Sequence, residues 1–497
     1  MLLGEILSYS EINEWDCDPV TEITGITYDS RKVFPGAAFV AIKGFKTDGH
    51  LYIEDAFVRG AAVVVVEDKR FISKGRPWIK VPDSRRALAD FSAPIYGFPG
   101  DKLNIIGVTG TNGKTTTTNL ITSILEEYDH RPGLIGTIHN RIGKEIIPVE
   151  HTTPEASDLQ SLLAYFVDKA ADYAVMEVSS HALELHRVNG TEYDVAVFTN
   201  LTQDHLDFHE NMDKYLAAKG KLFSNLGVKS KKTRHKFAII NADDQSSDSL
   251  KDISSVPVIT YGINKQADIM AKDVRISADG AKFKLEYINQ SLPVSLKITG
   301  IFNVYNVLAA TAVGLVEGVP IKNIITSLGK IDGVPGRFEK VSAGQDYTVI
   351  VDYSHTPDSL ENCLKTAREF AESRIITVFG CGGDRDSKKR PLMGEVAGRL
   401  SDYIIVTSDN PRSEDPHKII EDILPGLKHS ASNSTYTVIA DRKEAINRAV
   451  EMAGTRDVVI IAGKGHETYQ IIGSKVLDFD DREVALAAIE NRMKYEK

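Results

Sequence analysis

Cysteine is scarce: Cys17, Cys363 and Cys381 are the only ones in 497 residues. None has the spacing of a disulfide framework or a zinc site, which suits a reducing compartment. Long apolar runs are missing as well. Stretches such as Ala61 to Val66 fall far short of the ~20 residues that cross a bilayer, so no membrane insertion is expected. The opening MLLGEILSYSEINEWD is too acidic, and its apolar run too short, for a signal peptide, and a cytoplasmic protein is expected. Nor is there an excess of positive charge. The 59 Lys and Arg against 69 Asp and Glu give a net charge of -10, which argues against a nonspecific nucleic-acid surface but not against a local basic pocket.

What the sequence does have is a rhythm. Short β-branched runs end in Gly, Asp, Asn or Ser, and each is followed by a helical pattern. Asn104–Val108, Tyr173–Val178, Asp194–Thr199, Thr348–Asp352, Ile375–Phe379, Tyr403–Thr407 and Val458–Ile461 are examples. Continuously apolar strands alternating with helices indicate α/β architecture, with mainly parallel sheets covered on both faces. Ligands in such sheets bind where loops leave the carboxyl ends of strands. The length is too great for one core. Residues 1–100 read as a small α/β unit with strands at Ile23–Tyr28, Ala38–Ile42 and Ala62–Val66; a central block spans 101–336; a second nucleotide-fold-like block spans 337–497. Turn-rich segments, Tyr96-Gly-Phe-Pro-Gly100 and Asp332-Gly-Val-Pro-Gly336, mark the junctions.

Thr109-Gly-Thr-Asn-Gly-Lys-Thr-Thr116 lies between a strand and a helix. Gly110 and Gly113 let backbone N–H groups converge on an anion, and the helix starting near Lys114 adds its positive end. Lys114 is expected at the terminal phosphates and Thr115 on magnesium. Val108 stands where the usual P-loop pattern has its first glycine, so this is a shortened variant.

From this segment onward the sequence resembles the Mur ligase family, ATP-dependent ligases that also include folylpolyglutamate synthetases. Thr152-Thr-Pro154, Glu177-Val-Ser-Ser-His181, Thr199-Asn-Leu-Thr-Gln-Asp-His-Leu-Asp207, Phe302-Asn-Val-Tyr-Asn306 and Gly336-Arg-Phe338 follow in the family's order. So do Asp352-Tyr-Ser-His355, Gly380-Cys-Gly-Gly-Asp-Arg-Asp386, Asp409-Asn-Pro-Arg412 and Gly463-Lys-Gly-His-Glu467. One departure is Ser354, where the family commonly has alanine. The resemblance implies an N-terminal domain for a UDP-linked substrate, a central P-loop ATPase, and a C-terminal Rossmann-like domain for the amino acid. It also implies a monomer whose partners are small molecules: ATP, UDP-N-acetylmuramoyl-L-alanyl-D-glutamate and meso-diaminopimelate.

The resemblance assigns residues as well. Gly110, Thr111, Asn112, Gly113, Lys114, Thr115 and Thr116 would hold the ATP phosphates, with Asn303 and Asn306 near adenine and Arg337 and Asp352 near phosphates and ribose. Thr115, Glu177 and His205 would hold Mg2+; an isolated histidine reads rather as a cap or packing residue, and it is the setting of His205 in TQDHLDFH near the phosphate loop that favours the metal. Lys219 matches the lysine that the family carbamylates; Lys221 is a nearby decoy, and residues alone make Lys219 a solvated helix lysine. Ser30, Arg31, Thr152, Thr153, Ser179 and Arg187 would bind the UDP-muramyl dipeptide, hydroxyls and guanidinium suiting diphosphate and carboxylate.

For the amino acid the resemblance points to Arg385, Asp409, Asn410, Pro411, Arg412, Gly463 and Glu467. The form Asp409-Asn-Pro-Arg412 accompanies diaminopimelate in this family. Diaminopimelate carries a second carboxylate that lysine lacks, and an arginine fork can bind it through two hydrogen bonds. Rival readings are a lysine-adding relative, a folylpolyglutamate synthetase and a non-enzymatic nucleotide switch. The last leaves Arg385, Asn410, Arg412 and Glu467 without a role.

Overall fold

The computed structural model describes residues 1–45, 47–228, 232–430 and 435–495. Its strands form three large sheets that follow one another along the chain. The first has five strands in the order Glu14–Asp16, Trp78–Lys80, Val63–Val66, Ala37–Val40, Gly25–Thr27, all parallel except the first. Val63–Val66 and Ala37–Val40 are buried at every residue, which is why both read as unbroken apolar runs.

The second sheet has eleven strands. Its centre is parallel: Val258–Gly262, Phe237–Asn241, Val195–Phe198, Asn104–Thr109, Tyr173–Glu177 and Pro132–Ile135 lie side by side. Antiparallel pairings extend it at both ends: Asn140–Ile142 and Glu145–Ile147 follow Pro132–Ile135 at one, and at the other Ile269–Ser277 joins Val258–Gly262 in parallel before Gly280–Tyr287 and Gln290–Leu296 add antiparallel to it. The sequence rhythm does not disclose the latter three. Along Ile269–Ser277 burial gives way to alternation of half-buried and exposed residues, so the continuous apolar signal of a two-sided strand is lost.

The third sheet runs Glu339–Val341, Thr348–Asp352, Val458–Ala462, Ile375–Phe379, Tyr403–Val406, Thr435–Val438, parallel after its first strand. A small hairpin, Tyr469–Ile472 with Lys475–Asp478, stands apart from it. Among the described residues no helix is long and apolar enough to cross a membrane.

Register decides which loops meet. In the central sheet Val108 pairs with Glu177 and Thr109 with Phe198. The loops after three adjacent strands therefore emerge together at the carboxyl edge, where such sheets bind ligands. In the third sheet Asp352 pairs with Ala462, and Gly463 N–H donates to the Asp352 carbonyl at 3.1 Å. The loops 380–385, 408–412 and 463–467 leave that same edge.

Candidate active site

The phosphate loop is gripped by its neighbours. Thr199 Oγ1 and Asn200 Nδ2 donate to the Asn112 carbonyl at 2.7 and 3.1 Å, and Asn112 N–H donates to Asn200 Oδ1 at 2.9 Å. The approach is close enough to exclude side chains. A Cβ on Gly110 (φ +148°) would lie 1.8 Å from Thr199 Oγ1, and one on Gly113 (φ +85°) 2.4 Å from Asn306 Oδ1. Thr111 Oγ1 donates to the Thr202 carbonyl at 3.1 Å and lies 3.2 Å from the Tyr215 hydroxyl. Thr115 and Thr116 open the helix Lys114–Glu127 and are buried.

Two lysines converge on one carbonyl. Lys114 Nζ donates to the Gly110 and Thr111 carbonyls at 2.9 and 2.8 Å, and Lys219 Nζ donates to Gly110 at 2.8 Å. Lys219 is 1 % exposed and its ammonium lies 4.4 Å over the Tyr215 ring. Burial, and then the Lys114 charge, push its pKa well below the usual lysine value. Burial lowers Lys114 too, with Glu177 and Asp204 opposing. No carboxylate lies within ion-pair distance of Lys219 among the described residues. Tyr215, one helical turn before Lys219 on the same face, was not singled out from the sequence. Its position four residues ahead of the lysine was the available signal.

Glu177 ends its strand with a buried carboxylate that receives only neutral donors: Thr137 N–H at 2.8 Å, and the Thr115 and Thr137 hydroxyls at 3.0 Å each. A buried anion beside the phosphate-loop hydroxyl, with no cation paired to it among the described residues, fits a hard divalent ion. Those residues hold no cluster of three or more His, Cys, Asp or Glu with ligating geometry, and Mg2+, which keeps several waters and binds phosphate, needs none. His205 caps the short helix Leu206–His209 at φ +54°. Its Nε2 is 3.4 Å from Asp204 Oδ2, and its ring stands edge-on to His181 and Tyr215 at 4.7 and 6.3 Å.

Thr152, Thr153, Ser179 and Arg187 gather around the Glu177 strand end. Thr152 Oγ1 is 3.1 Å from Thr137 Oγ1, and Thr153 Oγ1 donates to the Glu177 carbonyl at 2.9 Å and receives Ser179 N–H at 3.1 Å. Arg187 donates to the Thr153 carbonyl at 3.2 Å and pairs with Glu155 at 2.8 Å; its Nε is buried without a partner. Glu155 also faces Arg85 at 3.5 Å. These two, unmarked in the sequence, line a cavity of about 510 Å³ together with Ser30 and Arg31. Arg31 is 84 % exposed at its side chain, and Asp29 occupies its fork at 2.7 and 2.9 Å.

Along the helix that follows the loop, Thr117 Oγ1 donates to Asn306 Oδ1 at 3.3 Å, and Asn306 Nδ2 donates to Asn303 Oδ1 at 3.1 Å. Both asparagines are buried behind the phosphate loop. Arg337 crosses from the start of the third block to donate to Thr115 Oγ1 at 3.0 Å, stacking 4.7 Å over Tyr353. Asp352 accepts Phe338 N–H at 2.7 Å and the Ser354 hydroxyl. Burial raises its pKa, and Ser354 and Arg337 oppose the rise. The serine at the departure from the family pattern thus serves as a donor to this carboxylate.

The third sheet assembles the other cluster. Asn410 Nδ2 donates to Glu467 Oε2 at 2.8 Å, while Asn410 Oδ1 receives Lys464 Nζ at 3.2 Å and Ile471 N–H at 3.0 Å. Lys464 also pairs with Glu467 at 3.1 Å and is completely buried. Its place in Gly463-Lys-Gly-His-Glu467 gives no sign in the sequence of that pairing. Burial raises the Glu467 pKa, against Lys464, which lowers it. A Cβ on Gly463 would lie 2.5 Å from Asp409 Oδ2. After Pro411, Arg412 (φ +53°) donates from Nη1 to the Gly383 and Asn410 carbonyls at 2.7 and 3.4 Å. Arg385 is exposed and donates to the Asp384 carbonyl at 3.1 Å. Neither guanidinium pairs with a carboxylate within 4 Å among the described residues. Beneath them, fully buried Arg442 pairs with Asp481 at 2.7 Å and donates to the Ser408 and Ala462 carbonyls at 3.3 and 3.0 Å, bracing both loops.

The arrangement is a glycine-rich loop with two lysines on its carbonyls and, at the edge of the third sheet, loops that carry Arg385, Arg412 and the acid Glu467. Residues 22–96 match the Mur ligase family, catalytic domain; 108–314 the Mur ligase middle domain; and 336–465 the Mur ligase, glutamate ligase domain. A UDP-N-acetylmuramoyl-L-alanyl-D-glutamate--2,6-diaminopimelate ligase of Syntrophomonas wolfei subsp. wolfei is 48% identical over 494 residues, covering 99% of this chain and 100% of that protein. The ligase of the same name from Bacillus cereus is 51% identical over 476 residues, 96% of each chain. A solved structure of a ligase of that name superposes with a TM-score of 0.70 at 34% identity, covering 99% of both chains. The chain belongs to the Mur ligase family.

Proposed function

We propose that the enzyme joins meso-2,6-diaminopimelate to UDP-N-acetylmuramoyl-L-alanyl-D-glutamate in peptidoglycan synthesis, as a cytoplasmic monomer. The terminal phosphoryl group of ATP passes to the dipeptide carboxylate, giving ADP and an acyl phosphate. The amine of diaminopimelate then attacks the acyl carbon, the amide bond forms, and phosphate and a proton leave. Activation is required because a carboxylate is a poor electrophile. The site must bring two anions together, and Lys114 and Arg337 would offset their repulsion. Mg2+, held by Thr115 and Glu177 with His205, would add charge neutralisation at the phosphates. Thr152, Thr153, Ser179 and Arg187 would orient the dipeptide beside Glu177, with Ser30 and Arg31 at its UDP end.

The observation that carries the substrate assignment is that Asn410 joins Arg412 to Glu467, its carbonyl receiving Arg412 Nη1 at 3.4 Å and its side chain donating to Glu467 at 2.8 Å. Among the described residues Arg412 has backbone carbonyls but no carboxylate for partners, whereas Glu467 is anchored by Asn410 and Lys464. A fork for a carboxylate and an anion for an ammonium describe the far end of diaminopimelate. Arg412→Ala is therefore expected to damage diaminopimelate use selectively. A charge-assisted pair contributes ~1.5–3 kcal/mol, roughly one to two powers of ten in kcat/KM. Lysine should lose much less, and Arg412→Lys should rescue only in part, having charge but no planar fork. Measuring kcat/KM for both amino acids decides it; an equal fall for both makes Arg412 a general structural residue.

Glu467 predicts a pH dependence. Its raised pKa means that it takes up a proton at higher pH than an exposed glutamate as the solution is acidified. Protonation removes the counter-charge for the ammonium, so KM for diaminopimelate should climb on the acid side. Lys464→Met removes the cation that holds the carboxyl down, and should move that acid limb to higher pH. A pH profile of kcat/KM that is superimposable for wild type and Lys464→Met would sever Glu467 from amino-acid binding.

A further inference from the structure

One carboxylate joins the third block to the phosphate loop without belonging to any of the sites above. Asp358 lies in the first turn of the helix Pro357–Phe370, which follows the strand Thr348–Asp352 of the third sheet. A single oxygen, Oδ2, accepts Asn112 Nδ2 at 2.9 Å, Thr202 Oγ1 at 2.8 Å and, from its own helix, Asn362 Nδ2 at 3.2 Å. An acid in a first turn commonly needs no explanation beyond the helix dipole. Here the cap is already supplied by Thr356, which receives Ser359 N–H at 3.2 Å, and the Asp358 oxygen is turned outward onto two side chains of the central sheet's loops. Asn112 is the tip of the phosphate loop. Its backbone is fixed from within the central sheet by Thr199 and Asn200, while its side-chain Nδ2 donates both to Asp358 at 2.9 Å and, more weakly, to Thr202 Oγ1 at 3.4 Å.

We propose that Asp358 is a positioning residue, a latch through which the block carrying the amino-acid pocket docks on the phosphate loop. The contact brings Arg412 and Glu467 into fixed relation with the loop, and so brings the attacking amine to the activated carboxylate. Because the loop backbone is held independently, losing the latch should spare nucleotide binding and impair the use of the amino acid. The inference rests on the ligation reading for its activity arm but not for its structural arm.

The test uses the full chain with Asp358→Ala, Asp358→Asn, Thr202→Val and the Asp358→Ala/Thr202→Val double variant. Affinity for a non-hydrolysable ATP analogue is expected to stay within about twofold of wild type, while kcat/KM for diaminopimelate falls roughly tenfold or more in Asp358→Ala, the scale of a charge-assisted hydrogen bond. Asp358→Asn keeps an acceptor oxygen and should recover much of the loss. The double variant should lose less than the product of the single losses, since both remove one contact. Small-angle scattering with the analogue bound should show a larger radius of gyration for Asp358→Ala than for wild type. Nucleotide affinity falling in step with kcat/KM would make Asp358 a mere support of the loop, and unchanged scattering and kinetics would make the contact idle; either overturns the latch. Should wild type fail to ligate diaminopimelate, the substrate reading fails, and scattering with nucleotide affinity still decides the latch.

Discussion

Lys219→Ala is expected to lose on the order of 10²–10³-fold in kcat, the scale set by removing one electrostatic stabiliser from a water-excluded site, and to recover part of it in a short carboxylic acid such as acetate. The reason lies in the surroundings of the amine. It is buried over the Tyr215 ring, has a carbonyl for partner, and shares that carbonyl with Lys114. Two ammonium groups so placed repel, and burial adds to the cost of charging either; the Lys219 pKa falls well below the ordinary value. A neutral amine can add to carbon dioxide, forming a carbamate and releasing one proton. The carbamate nitrogen keeps an N–H for the Gly110 carbonyl, while its oxygens turn a repulsive cation into an anion attractive to Lys114 and to magnesium. Alanine removes the nitrogen that carbon dioxide needs, so bicarbonate should not help, whereas a free carboxylate can occupy the vacated space. Intact-mass measurement of wild type under carbon dioxide supplies an independent readout. Wild-type turnover in Lys219→Ala, with unchanged magnesium dependence, would return Lys219 to the role of a structural helix residue.

Lys219 also shows where sequence reasoning reaches its limit. Nothing local distinguishes it from Lys221, two residues on, which pairs with Glu184 at 2.6 Å on the surface. Only tertiary packing of the helix Met212–Ser224 against the loop buries one and exposes the other. The same holds for Lys464 and Asp358, whose partners lie far away in sequence or across the molecule: Asn410 is 54 residues from Lys464, and Asn112 is 246 from Asp358. A polar residue beside a turn is ordinarily solvated, so neither stands out. The strands that carry the site were legible because they are buried on both faces and read as apolar runs, as at Val195–Phe198 and Val458–Ala462. Loop residues such as Asn112, Glu177 and Asn410 follow those strands, but their roles come from the motifs of the Mur ligase resemblance. The extension at 269–296 escaped because its exposed face breaks the run, and Glu155 with Arg85 escaped because an acid and a base 70 residues apart declare no pairing in one dimension.

Lys114→Ala should remove ligation almost completely, on the order of 10³-fold or more in kcat/KM for every substrate alike, because the transferring phosphoryl group loses its nearest cation. That uniformity is what separates it from Arg412→Ala, which should discriminate between amino acids. The fold should survive. The loop remains gripped by Thr199 and Asn200 and by the Lys219 amine on Gly110. Losing the lysine's two bonds to the Gly110 and Thr111 carbonyls is offset by no longer burying a charge, so the net change in stability should stay within about 1–2 kcal/mol. Its removal also takes a positive neighbour away from Lys219, whose pKa should rise toward the ordinary value because that neighbour is one cause of its depression. Lys114→Met would keep most of the side-chain volume while lacking the charge, and should be as inactive as alanine. If methionine retains activity and alanine does not, the lysine acts by filling space. If both retain near-normal turnover in folded protein, the terminal phosphates are bound elsewhere and Gly110–Thr116 is only a glycine-rich turn.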